Sequence, residues 1–198
     1  MVSGKEDQEA KRAQNRAAHA DLAKWRSAAD FIARVDQIAS GVPSNELFGS
    51  RKFNFLTEAL AIAEFVTLHP VDEVRLNDPD AQHPDAYVRT GGEVVEVEAT
   101  EALNSGRRRG DEYQRPLIVR HSTPEEREAR RAELEPAIRR AIEKKVDRGN
   151  HNGLLLVYVE LQIHFELTPD EEALVAAIKQ RYRPKFRDIY VVCKGRVY

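Results

Sequence analysis

Apolar positions along the chain change their spacing several times, and each change marks an element. Leu22, Trp25, Ala29, Ile32 and Val35 recur at three- and four-residue steps, the repeat of one helix face. This spacing predicts a single long helix over residues 5–39. Its first half is Ala-rich and polar all round, which suits packing on a partner. Gly41-Val42-Pro43-Ser44-Asn45 ends it. A second helix is expected over 54–68, stopped by His69-Pro70.

The period then falls to two. Residues 71–76, 85–89 and 93–100 read as three strands, joined by a turn at Asn77-Asp78-Pro79-Asp80 and a hairpin loop at Thr90-Gly91-Gly92. In the third strand Val95, Val97 and Ala99 point to one face, and Val94, Glu96 and Glu98 to the other. A polar, Arg-rich stretch over 104–122 interrupts the pattern. Thr123-Pro124-Glu125-Glu126 is a capping box that opens a helix to about 148, with a kink expected near Pro136. The unbroken apolar run 154–159 fits a strand covered on both faces. Thr168-Pro169-Asp170-Glu171 is a second capping box before a helix to about 182, and Asp188–Cys193 reads as another buried strand. The expected fold is α/β, with a mixed five-stranded sheet flanked by helices. It divides into an N-terminal helical arm, 1–43, and one domain, 44–198.

Composition narrows the function. The chain has 198 residues, 41% apolar and 32% charged, enough for a substantial core. No apolar run is long enough to span a membrane, and residues 1–7 lack the apolar run of a secretory signal. A cytoplasmic location is therefore expected. The lone Cys193 excludes an internal disulfide and a CxxC metal site. The net charge of −2 is unevenly spread. Residues 71–101 carry a net −7 and residues 102–149 a net +4.

The acidic block holds the candidate chemistry. Glu96 and Glu98 share a strand face, and the tight Gly91-Gly92 turn makes the strand of Asp85 their neighbour. Carboxylates converging in this way repel one another unless a cation sits between them. Mg²⁺ takes such oxygen ligands and leaves coordination sites for water and a phosphate. Taken alone, Glu96-x-Glu98 is more often a solvated strand face.

Pro84-Asp85, ten residues and then Glu96-x-Glu98, set in an αβββαβ order, resembles the PD-(D/E)xK nuclease superfamily, with its restriction-endonuclease-like fold. The resemblance covers roughly residues 54–161. It implies metal-dependent hydrolysis of nucleic-acid phosphodiesters, most simply of DNA. Asp85 and Glu96 would hold Mg²⁺ or Mn²⁺, with the Val97 carbonyl completing the shell. Glu58 would be the carboxylate from the first core helix, with Glu64 as runner-up. Glu98 stands where the superfamily usually has Lys, and would act as general base or as ligand of a second metal.

Several residues admit two readings. Lys145 either supplies a displaced ammonium or snorkels from a helix end, the simpler case. Arg107, Arg108 and Arg109 either contact phosphates or form a solvated loop. Arg139, Arg140 and Lys144 fit a solvated helix face, and His83 a loop histidine without function. The N-terminal helix would suit a homodimer. The rival function is a catalytically inactive nucleic-acid-binding or protein-interaction module on the same fold.

Overall fold

The computed structural model describes residues 3–81, 83–105, 123–148, 152–161 and 166–198. Its elements run α1 (Ser3–Leu22), β1 (Arg26–Ser27), α2 (Ala28–Ser40), α3 (Ser44–Gly49), α4 (Asn54–Leu68), β2 (Glu73–Leu76), β3 (Ala86–Thr90) and β4 (Glu93–Leu103). They continue with α5 (Pro124–Ala132), α6 (Leu134–Val146), β5 (Leu154–Glu160), α7 (Pro169–Tyr182), β6 (Asp188–Cys193) and β7 (Arg196–Val197). All strands join one open mixed sheet in the order β1 to β7. It has seven strands, not the expected five. The additions are two-residue edge strands, β1 beside β2 and β7 beside β6. Neither is long enough to show a period of two.

β1 to β4 form an antiparallel meander, whereas β4, β5 and β6 are parallel. A parallel step needs a crossover, which α5–α6 and α7 supply. On one face Val95, Val97 and Ala99 of β4 pack with Phe31 and Val35 of α2 and Leu56 and Ile62 of α4. On the other, Leu155, Val157 and Val159 of β5 pack with Ile138 and Ile142 of α6 and Ile178 of α7. The strand at 154–159 is thus buried from both sides, as its apolar run predicts.

The single helix expected over 5–39 is two helices. Residues 23–27 leave the helix so that Arg26 and Ser27 can pair with Val74 and Glu73. Ser27 then caps α2, its hydroxyl accepting from the Asp30 N–H at 3.1 Å. Leu22, Phe31 and Val35 are fully buried in the same core as α4, so the second half of segment 1–43 packs into the main body. The kink expected near Pro136 is a break at Glu133, between α5 and α6. A proline ring clashes with the carbonyl four residues earlier, here Ala132, the last residue of α5. Both capping boxes form as expected, Thr123 with Glu126 and Thr168 with Glu171. No helix among the described residues is long and apolar enough to cross a membrane.

Candidate functional site

The site begins at a turn. Gly91 and Gly92 adopt φ of 58° and 84°, positive values that suit a two-residue hairpin loop. This loop pairs Thr90 with Glu93 and, further along, Ala86 with Val97. One more step places Asp85 opposite Glu98. The backbone of Asp85 is pinned by Asn77, one of two buried polar or charged residues among those described. The Asn77 N–H donates to the Asp85 carbonyl at 3.0 Å. Its side-chain amide donates to the Pro84 carbonyl at 2.8 Å.

The other buried charged residue is Lys145. It lies in the last turn of α6, on the stripe that Ile138, Ala141 and Ile142 press against the sheet. Its ammonium donates to Asp85 Oδ2 at 3.0 Å and to Glu98 Oε2 at 2.5 Å. Burial works against its charge, but Asp85 and Glu98 outweigh that and raise its pKa. The side chains of Lys145, Asp85 and Glu98 are only 8%, 12% and 13% exposed. Lys145 is therefore no snorkelling lysine: the helix end faces two carboxylates rather than water.

Each carboxylate keeps a second oxygen outside this bridge. Asp85 Oδ2 also accepts from the Ala99 N–H at 2.7 Å, while Oδ1 takes no hydrogen bond from a described residue. Glu98 Oε1 lies 3.1 Å from His83 Nδ1. One ligand atom each from His83, Asp85 and Glu98 fall within 4.8 Å of one another, a group able to hold a metal ion. Glu58 joins from α4. Its carboxyl is pushed up to about 8, first by burial and then by Asp85, with Glu98 and Glu101 adding and Lys145 opposing. Glu64 lies elsewhere, accepting from the Gly195 N–H at 3.2 Å beside the β6–β7 turn.

Glu96 takes a different position. It is exposed and pairs across the hairpin with Tyr87, two residues beyond Glu98. A pocket of about 120 Å³ opens here, lined by His83, Tyr87, Glu96, Glu98, Lys145 and Arg148 among others. Behind it Gly153 allows the chain entering β5 to approach closely. A Cβ at that position would stand 2.5 Å from the Glu96 carbonyl oxygen. The structure thus brings together His83, Asp85 and Glu98, with Glu58 of α4 near enough for their charges to act on it, and leaves Glu96 exposed at the pocket. The sequence held the signal for this. Counting back from the two-glycine loop, Asp85 faces Glu98 and not Glu96. Lys145 carried no comparable signal, because long-range packing brings it to the site, whereas His83 and Asn77 arrive with the strands on either side of the turn before Asp85. Arg107, Arg108 and Arg109 lie outside the described residues. Arg139 pairs with Glu135 and Arg140 with Glu133.

Compared with models of protein families, with curated proteins and with solved structures, the chain has no match.

Proposed function

We propose that this protein is a metal-dependent nuclease that hydrolyses phosphodiester bonds, with DNA as the expected substrate. One observation carries the proposal: Asp85 and Glu98 face each other across a tight hairpin and share the buried ammonium of Lys145. The order of α4, the β2–β4 meander, α6 and β5 is that of the restriction-endonuclease-like core. In this reading Glu98-x-Thr100 occupies the motif's carboxylate and lysine positions, and Lys145 supplies from α6 the ammonium that Thr100 does not.

The donor set fits a divalent cation. The carboxylates of Asp85 and Glu98, the imidazole of His83 beside Glu98 Oε1 and the nearby Glu58 make a site suited to Mg²⁺ or Mn²⁺. Asp85, Glu98 and Glu58 would hold the ion, with His83 beside it. When bound, such an ion acidifies water and neutralises charge on the phosphate. Lys145 holds Asp85 and Glu98 in fixed orientation through its two hydrogen bonds. In this reading Glu96, exposed and lining the pocket, takes a proton from the attacking water. The water oxygen forms a bond to phosphorus while the bond to the 3′ oxygen breaks and that oxygen takes a proton from solvent, leaving a 5′ phosphate and a 3′ hydroxyl. The mostly exposed α1 remains the proposed surface for a homodimer.

The test is cleavage of plasmid and oligonucleotides in Mg²⁺, Mn²⁺ or EDTA. Cutting should need the metal and should fall by about 100-fold or more in Asp85→Asn and Glu98→Gln. Cutting that survives both substitutions would overturn the assignment. Metal binding with no cleavage of any substrate would favour the inactive binding module instead.

A further inference from the structure

Among the described residues, one half of one sheet face carries no helix. On the side where α6 and α7 pack, the buried sheet residues come from β5, β6 and Ala102 of β4. No residue of β2 or β3 is among them. That open half is paved with rings and guanidiniums. Arg75, Tyr87 and Glu96 stand side by side in register across β2, β3 and β4, with Arg89 and Val94 in the next row. The Arg75 guanidinium lies 4.4 Å from the Tyr87 ring centre and 5.4 Å from that of Trp25. Arg89 lies 4.4 Å from Trp25. Val94 is 48% exposed, one of two large apolar side chains so open among the described residues.

We propose, building on the nuclease reading, that this half-face seats an unpaired nucleic-acid strand and feeds it into the pocket. Two features favour that occupant. First, the surface is continuous with the candidate site, because Tyr87 both lines the pocket and stacks on Arg75. Second, its rings and the Arg75 guanidinium suit a strand with free bases. Arg89 is tied to Glu73, but Arg75 meets no carboxylate among the described residues and donates only to the Ala23 carbonyl, at 3.4 Å. A guanidinium between two rings offers a phosphate partner beside flat surfaces for bases. In a duplex the faces of the bases are hidden in the stack, so only unpaired bases can use the rings. The substrate is then a single strand, or a duplex end that frays.

Trp25 is the only tryptophan in the chain, so its fluorescence reports on this surface alone. The experiment titrates the protein, in EDTA to prevent cleavage, with a 12-nucleotide oligothymidylate and with a hairpin duplex of matching length. The single strand should quench Trp25 and bind about tenfold tighter than the duplex. Tyr87→Ala should weaken single-strand binding about tenfold, and Tyr87→Phe should restore it. Arg75→Lys keeps the charge but not the flat stack, and should lose most of the quench. A melting curve for each variant separates lost binding from lost folding. Equal binding of both nucleic acids, a silent Trp25, or an unchanged affinity in a folded Tyr87→Ala protein would overturn the proposal. A protein that binds and quenches but never cuts keeps this inference and loses the nuclease reading. One that cuts only duplex DNA with Trp25 silent does the reverse.

Discussion

The two halves of the sheet solve the same problem differently. In the β4–β6 half the strands are parallel, apolar on both faces and covered from both sides by helices. In the β1–β3 half they are antiparallel, apolar toward α2 and α4 and polar on the other face. β4 belongs to both, and its composition changes along its length. It presents Val94 and Glu96 to the second face where no described helix covers them, Glu98 beneath the end of α6, and Ala102 where α6 packs. The candidate site lies at this change. The meander supplies Asp85, β4 supplies Glu98, and the crossover helix needed for the parallel half supplies Lys145. Neither half alone would make the site. A carboxylate pair at the edge of a core is tolerated only because a cation from the other half reaches it.

The largest expected effect comes from cutting that link. Lys145→Met removes the ammonium and leaves Asp85 and Glu98 facing each other with little water. Breaking a buried pair from one side costs about 3–5 kcal/mol, and denaturant unfolding should show a loss of that order. Adding Glu98→Gln to Lys145→Met should recover part of it, because one of the two opposed charges is gone. If Lys145→Met is as stable as the parent, the two halves are not joined through this cluster.

Next in size is a contrast between the covered and open halves. Leu155 is fully buried between β5 and the helices of the second face, and Leu155→Ala should cost about 2–5 kcal/mol. Val94, on the open part of the same face, should lose no more than about 0.5 kcal/mol as Val94→Ala. Similar losses at the two positions would mean that something covers the open half. Gly153→Ala tests the seam itself. The added Cβ meets the Glu96 carbonyl oxygen and Cβ at 2.5 and 2.8 Å, so β5 must shift away from β4. A cost of about 1–3 kcal/mol is expected, read from the same unfolding curves.

The covered half was the more legible one in the sequence. The run at 154–159 and the two capping boxes carry their structure locally, and each appears as expected. The β2–β4 meander was equally plain, since alternation and a two-glycine loop are local signals. What sequence spacing did not reveal depends on distant partners. β1 exists because β2 offers it an edge, and the break in the N-terminal helix follows from that pairing, although Ser27-x-x-Asp30 does mark the restart. At the site, Asp85, Glu98 and Glu58 were named from spacing and resemblance. Matching the motif by residue type makes Glu96 a metal ligand, while strand register decides which carboxylate faces Asp85. Lys145 lies 47 residues from Glu98, and no local pattern ties them together.

The smallest effect separates a balanced ion pair from the unbalanced cluster. Glu171, in the first turn of α7, meets Arg131 of α5, so it joins two helices of the covered half with one charge of each sign. Burial works against its ionised form, but Arg131 and the Thr168 cap outweigh that and hold its pKa below the usual 4.5. A lowered carboxyl pKa stabilises the fold at pH values above the unfolded-state pKa. That contribution is lost as the pH falls through the lowered folded-state value. Glu171→Gln keeps the capping oxygen and removes the charge, so near neutral pH it should cost about 1 kcal/mol. The melting difference from the parent should be full at pH 7 and should shrink as the pH drops below about 4. Lys145→Met should remain costly at pH 7, where two carboxylates are left without their cation. A Glu171→Gln difference that persisted unchanged to pH 3 would mean that packing, and not charge, joins α5 to α7.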